Sequence, residues 1–583
     1  MIQTQETSRS QTSSENDDTM ANGPRQVLEG DFKLGTRENV AFSVLLVMSF
    51  YAALESTAIG VALPSIAQDI HGSSVQAFWI GTSYLLASAV CQTPFAAFSD
   101  TFGRLPVAIS TLVLFIAGSI ICALAHNVPT ILVGRTLQGA GSGGSLSLIE
   151  IIITDLVPLR HRGGYFGMNA IAWAIGCAIS PLIGGAFTEK ATWRWIFWIM
   201  LPFAVASLIL LPISLRLRPT KGSLVGKVKK VDWIGCFLLM TSATSTLIAV
   251  SWGGLMFPWS SYHTLVPLLL GIAGVALFVV WEQYCAKHPL IPTRIFNNRT
   301  ATTVYWQSLV SGLNMWAVIY YMPLYFQAVK DYSIIISGVA ILPILLAVSP
   351  SAAITGFTLK KLGSYRKILW VGWTMAVLGV GIMMRLDLNI TIPQWIFTTC
   401  LPGIGVGILM PVMRLAIQAS AKDEDIAHAA AMVMTSRTLG MSLSLAILGV
   451  IFQNAFQHKL EASSFSRQTE GLAQNVLGVV EVIKLLPNDS HDKLVLRQVF
   501  ADSLKLIWAT LIAFNAVALI SSFFTEELSL DRILNTEQGV DKGPSEVLES
   551  GTVKTADVDL KSNGQLTGSD VPKTDSDVEG KLQ

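Results

Sequence analysis

Glu55 and Arg135 are an acid and a guanidinium set in stretches of sequence that are otherwise apolar. An ionisable group in a bilayer-crossing helix costs at least about 2.5–3.5 kcal/mol, so it is paired, functional or both. Glu55 falls about eight residues inside the first apolar run, roughly 12 Å below its outer border; Arg135 falls roughly 8–9 Å below the same border in the fourth. At those depths the two can meet. An arginine favours the ionised form of a neighbouring acid, and a change of surroundings alters that acid's hold on a proton, which is the chemistry of proton uptake and release. A permanent salt bridge joining two helices satisfies the cost of burial equally well, and both readings stay open on spacing alone.

Other charges fall at the ends of the runs. Asp100, Arg104 and Asp155 cluster where the second, third and fourth runs meet the cytosolic side. They form either a charge network that locks one conformation or ordinary loop charges. Glu150 and Arg414 stand near cytosolic ends, where they can snorkel, and Arg437 lies about eight residues into its run. Tyr51, Trp173, Gln307, Asn314, Trp316 and Tyr320 are polar or aromatic residues within runs. Together they could line an aromatic, mostly apolar cavity suited to bulky lipophilic molecules; singly they read as packing or interface anchors.

The elements that must position these residues are helices. The chain of 583 residues is 51% hydrophobic and 14% charged, with a mean hydropathy of +0.53. About 25% charged residues is usual for a soluble protein, so the expectation is an all-α polytopic membrane protein. Fourteen apolar runs of about 20 residues follow one another between residues 40 and 524. The net charge of +1 says nothing about partners, and no basic block suggests nucleic acid, so no nucleic-acid partner is expected. The six cysteines are scattered without metal or disulfide spacing, and no cofactor or metal site is expected. The first run follows a polar stretch of nearly forty residues and reads as an uncleaved first span.

Alternate short loops differ sharply in Lys and Arg, seventeen against four, which places the basic set and both termini in the cytosol. Residues 1–38 and 525–583 read as disordered cytosolic tails. Between them the expectation is a six-helix bundle over 39–215, a linker with two inserted helices over 216–302, and a second six-helix bundle over 303–524 with a long outer loop at 454–503. Within that loop, Val476–Leu486 is apolar enough to lie on the membrane surface or pack on the bundle. Sequons at Asn389 and Asn488 fall on the outer side and are the candidate glycosylation sites.

A weak internal repeat supports two bundles. Ala96–Arg104 and Gly356–Arg366 share a small residue, a charge, a glycine and basic residues at an offset of 260, and Gly139, Gly141 and Gly143 match Gly403, Gly405 and Gly407 at an offset of 264. Parallel repeats of this kind place a substrate site between the halves near mid-membrane. The fifth run holds Gly176, Ser180, Pro181, Gly184 and Gly185, small residues about four apart around a proline. That is a helix able to kink and to press closely on a neighbour.

With these motifs in order, the chain resembles the major facilitator superfamily, specifically its fourteen-span drug:proton antiporter branch of the filamentous-fungal toxin and secondary-metabolite efflux type. Leu54–Pro64 is similar to the first-span motif of that branch, with Glu55 where Asp is usual; Asp100, Gly103 and Arg104 match the loop motif, with Ala96 for its leading glycine; Arg135–Gly139 matches the fourth-span motif; and Gly176–Gly185 matches the antiporter motif, with Ser180 before Pro181 in place of glycine. The resemblance implies a proton-coupled exporter of lipophilic small molecules, working as a monomer in the bilayer of the plasma membrane, or of a vacuole or vesicle. It implies proton coupling at Glu55 and Arg135 and gating at Asp100, Gly103, Arg104, Asp155 and the fifth span. The fifth span is then expected at the interface between the halves, with the Ser180 hydroxyl bonding a carbonyl that Pro181 leaves unpaired. An importer of the same fold and a non-transporting receptor are the alternatives; a membrane enzyme finds no nucleophile elbow or metal cluster to support it.

Overall fold

The computed structural model describes residues 34–530 apart from 72–73, 218–221, 254–255, 423–424, 464–475, 488–489 and 529. Most of both tails, and Asn488, lie outside the described residues. Long helices carry the chain: α1 (Thr36–Asp69), α2 (Ser74–Phe102), α3 (Arg104–Ala123), α4 (Val128–Leu156), α5 (Leu159–Lys190), the broken pair α6 (Trp195–Trp198) and α7 (Met200–Ser214), the short basic α8 (Leu224–Lys230), α9 (Trp233–Trp252), α10 (Tyr262–Tyr284), α11 (Arg299–Ala328), the broken pair α12 (Ile334–Ala340) and α13 (Leu342–Leu362), α14 (Arg366–Met383), α15 (Ile392–Ser420), α16 (Ile426–Glu461), α17 (Val476–Leu485) and α18 (His491–Ser522).

Twelve of these, each broken pair taken as one, are long and apolar enough to cross a membrane. The two long helices outside that set, α2 and α4, have 29 residues each, about 43 Å. They have the length, but their polar residues lower their hydropathy. The reason is visible in α4, where Arg135, Gln138, Glu150 and Asp155 are all buried inside the protein. A helix that meets protein on nearly every side need not be apolar.

Tight packing follows from the glycines read as a repeat. A Cβ on Gly139 or Gly143 would stand 2.4 or 2.2 Å from the α2 carbonyls of Tyr84 or Ser88, and one on Gly141 2.5 Å from the α3 amide of Phe115. In the second half, Gly403 and Gly407 meet the α13 carbonyls of Ile344 and Val348, and Gly405 meets α14 at Ala376. The central helix of each triplet thus alternates between the same two kinds of neighbour. Helices without side chains at a crossing approach closely and gain van der Waals contact, which in lipid replaces the hydrophobic drive.

The helices α1–α4 and α7 pack mainly on one another, as do α11, α14–α16 and α18; α5 packs on α1 and as much on α13, α15 and α12, and with α2 against α16 it joins the two groups. The α9–α10 pair rests through α9 on α2 and α16. The outer segment is more helical than expected: α16 runs on to Glu461 and α18 begins at His491. Of the two places open to Val476–Leu486, the structure shows packing on the bundle, with Val479, Val480 and Ile483 buried in one cluster with Phe452, Phe456 and Phe500. Asn389 is exposed in the short α14–α15 connection.

Candidate functional site

Glu55 on α1 and Arg135 on α4 form an ion pair, and both side chains are buried. Arg135 is held from several sides. Its Nη1 donates to Glu55 Oε1 and to Gln138 Oε1 (2.7 Å), its Nε donates to the Ile80 carbonyl (3.1 Å), and its guanidinium lies 4.4 Å from the Tyr84 ring centre. Gln138 Nε2 donates in turn to Ser119 Oγ (2.8 Å), and Tyr84 donates to Ser142 Oγ (2.6 Å). The second carboxylate oxygen, Glu55 Oε2, has no hydrogen-bond partner among the described residues. A buried charge pair is tolerated when remaining donors and acceptors are met by further bonds; here the arginine is well satisfied and the acid only half so.

Between the two groups of helices lies a small cavity. Trp173 and Trp316 line it, with Tyr84, Glu150, Arg414, Arg437 and the methionines Met410, Met434 and Met441. Glu150 on α4 and Arg414 on α15 pair across it at 2.9 Å, both side chains at most 5% exposed. They are therefore not snorkelling to the cytosolic surface; equivalent positions of the two halves meet at the centre. Arg437 Nη2 faces sulfur, 2.9 Å from Met315 Sδ and 3.7 Å from Met410 Sδ. Of the remaining aromatic and polar candidates, Tyr51 is buried against Phe115, Gln307 accepts from Trp373 Nε1 (2.9 Å), Asn314 is buried on α11, and Tyr320 is 41% exposed beside Tyr321. None of these four lines the cavity.

On the side assigned to the cytosol, Arg104 pairs with Asp100 and, at 3.0 Å, with Asp155, and donates to Ser99 Oγ at 2.9 Å. Gly103 makes this possible: its φ of +101° turns the chain from α2 into α3, a conformation open to glycine. Asp100 also meets His428 Nε2 of α16 at 3.1 Å, so the network reaches the other half. Further contacts join the halves nearby. Gln92 donates to Thr438 (2.9 Å), the Thr93 and Thr435 hydroxyls are 3.1 Å apart, and Arg162 donates to Gln418 (2.8 Å). Among the described residues no group of three or more His, Cys, Asp or Glu side chains could hold a metal ion.

The family model of the Major Facilitator Superfamily matches residues 45–445. The chain belongs to that superfamily. Its members are transporters rather than enzymes, and this one is a multi-pass membrane protein. It is 42% identical over 509 residues to MFS transporter L2 of Phoma sp., covering 87% of this chain and 85% of the relative. It is 36% identical over 520 residues to the MFS-type efflux pump LUC4 of Fusarium sp., covering 88% and 91%. Among solved structures, the proton:xylose symporter XylE shares the fold, with a TM-score of 0.53 at 12% identity over 85% of this chain and 98% of that one.

In this facilitator the fifth span lies at the interface between the halves, as expected, but its glycines and serine face otherwise than expected. Gly176 and Gly184 face α1 within the same half: a Cβ on either would stand 2.4 Å from the Phe50 carbonyl or 2.6 Å from the Ala58 carbonyl. Gly185 is buried as well. Ser180 donates to the Leu54 carbonyl of α1 at 2.9 Å, not to its own helix. Pro181 looks across toward Gly338 of α12, and Cys177 and Ala178 share a buried cluster with second-half residues such as Leu313 and Ile341. The seam between halves lies one end further along α5. There Gly167 faces the Ala352 carbonyl, and a Cβ on Gly356 would stand 2.3 Å from the Gly163 carbonyl. Sequence reading passed over Gly163, Gly167, Tyr84 and His428. A glycine pair at Gly163 and Gly167, four apart, was the available signal; the tyrosine and histidine carry none without the neighbours that the fold brings.

Proposed function

We propose that this facilitator is a proton-coupled efflux transporter that exports lipophilic small molecules, such as toxins, secondary metabolites or drugs, by alternating access across the plasma membrane. The observation that carries the reading is the buried Glu55–Arg135 pair next to the central cavity, with Tyr84 common to both: its ring lies under the guanidinium and its side chain lines the cavity. A proton arriving on Glu55 removes the charge that holds Arg135. The guanidinium then leans on Gln138 and Tyr84, and a shift of Tyr84 is felt by whatever occupies the cavity. Cargo arriving first acts in the reverse direction through the same ring, as linkage requires. The names of the fungal efflux relatives support the outward direction and the cargo class. The aromatic and thioether lining supports bulky, apolar cargo.

The test is transport by the full chain in proteoliposomes with an imposed pH gradient, using a lipophilic fluorescent dye as cargo. Glu55→Gln should insert and fold, since glutamine keeps the shape and one acceptor for Arg135, yet lose gradient-driven movement by at least about 100-fold, about 2.7 kcal/mol at 1.36 kcal/mol per decade. Unchanged gradient-driven transport by that variant removes Glu55 from the mechanism. Movement of dye with the proton flux, rather than against it, makes the protein an importer.

A further inference from the structure

We propose that the central cavity selects lipophilic cargo that bears a negative charge, such as a carboxylate or an acidic enol, bound through Arg437 and Arg414. The inference rests on reading this cavity as the transport site and names the class of molecule it takes. Three charged side chains line the cavity: one carboxylate, Glu150, and two guanidinia, Arg414 and Arg437. The pairing of Glu150 with Arg414 accounts for one positive charge and leaves the other in excess. Arg414 and Arg437 are each only 4% exposed, shielded from bulk solvent.

Hydrogen bonding tells the same story as charge. Arg437 Nε and Arg414 Nη1 have no hydrogen-bond acceptor among the described residues, and neither has Trp173 Nε1 on the facing helix α5. The outer guanidinium nitrogen of Arg437 faces the thioethers of Met315 and Met410, while that of Arg414 has Glu150 Oε1 at 2.9 Å and the Met434 sulfur at 3.6 Å. Sulfur in a thioether is a weak acceptor. A buried cation facing weak acceptors is costly unless a partner of opposite charge arrives. Donors without acceptors, converging on one cavity between the halves, describe the complement of an anion, and alternating access would widen that cavity to admit it. A planar carboxylate matches the fork geometry of a guanidinium, while the Trp316 and methionine walls suit the apolar remainder. Glu150 opposes a cationic excess only in part, and it competes with cargo for Arg414. The site is therefore built to exchange one carboxylate for another.

Binding to the purified full chain in detergent micelles at pH 7 decides the matter, with three probes of one shape: 1-naphthaleneacetate, the neutral 1-naphthaleneacetamide and the cationic 1-naphthalenemethylamine, each measured by equilibrium dialysis. The acetate should bind at least about tenfold more tightly than the other two. Arg437→Gln should abolish that preference by weakening the acetate alone, Arg437→Lys should keep most of it, and Glu150→Gln should strengthen acetate binding by freeing Arg414. The wild-type comparison stands by itself if a variant does not fold. Equal binding of acetate and amide, tightest binding of the amine, or no binding of any of the three overturns the proposal. Gradient-driven export of a neutral dye together with no acetate preference defeats the charge selection and leaves the export reading intact. Acetate preference without any export does the opposite.

Discussion

Ser180 shows how a single hydroxyl is read differently once its neighbours are known. Next to Pro181 it is an obvious partner for a carbonyl that the proline frees. Instead it reaches the Leu54 carbonyl one residue before Glu55, so it ties α5 to the turn of α1 that carries the acid. That carbonyl already belongs to a helix, and a side-chain bond of this kind contributes about 0.5–1.5 kcal/mol. Ser180→Gly is therefore expected to lower the melting temperature of the purified protein by no more than a few degrees and to keep export; a loss of gradient-driven transport at normal expression would make the hydroxyl part of the proton site. The acid–arginine pair was legible at the residue scale because burial of charge is expensive whatever the fold. Glu150 and Arg414 were visible too, but their meeting was not. Each looked close enough to a helix end to reach water, and only the approach of α4 to α15 shows that each is the other's partner.

At the scale of the element, length and apolarity located the helices well, and packing surfaces poorly. Glycine spacing announced close contact on α5 without saying with what. Gly176 and Gly184 turned out to fix α1, while Gly163 and Gly167 meet α13. A Cβ at Gly356 has nowhere to go except into the backbone of α5, whereas one at Gly381 of α14 meets nothing within 4 Å. Gly356→Val should destabilise the protein by about 1–3 kcal/mol through overpacking, read as a clear fall in melting temperature. Gly381→Ala should leave it unchanged or raise it slightly, because alanine is the better helix former by about 1 kcal/mol. Equal effects at the two positions would mean that the backbone seam is not closed in solution. The polar character of α2 and α4 was a weak signal for membrane crossing and a strong one for burial, since polar residues on a helix of that length need protein around them.

For the molecule as a whole, the two halves touch on either side of the cavity: through Pro181 and Gly338 at one end, and through Thr93–Thr435, Asp100–His428 and Gly163–Gly356 at the other. Alternating access requires the second set to part. A Thr93→Cys, Thr435→Cys double variant places two thiols where hydroxyls now lie 3.1 Å apart. Its oxidation should stop export and its reduction should restore it, with each single variant insensitive to oxidant. Continued export by the cross-linked form would show that the halves do not separate at this level. The likeness of the two glycine triplets was readable from an offset in the sequence, and each triplet faces equivalent neighbours. The cavity was not, because its walls come from helices of both halves and only two of the six aromatic and polar candidates reach it.

The α9–α10 pair stands apart in this respect. Only 17% of the apolar window of α10 is buried, and Leu269, Leu270 and Ile272 are each more than half exposed. Two things fix the pair: Gly271 and Gly274 press closely on Thr246 and Ser242 of α9, and polar ties hold its ends, where Trp281 Nε1 donates to Asp232 at 2.9 Å and Glu282 accepts from the Leu290 and Ile291 amides. Lipid asks of a side chain little more than that it be greasy. The lipid-facing side of α10 is thus a region where spelling is free and only the alphabet is restricted, whereas Gly271 and Gly274 on the α9 side admit no larger residue. Leucine, isoleucine, valine and phenylalanine should interchange there with little effect, while Asp232, Trp281 and Glu282 hold the punctuation. Among descendants of this gene, the lipid-facing side of α10 should drift fastest of all the spans without leaving any mark on what the protein carries.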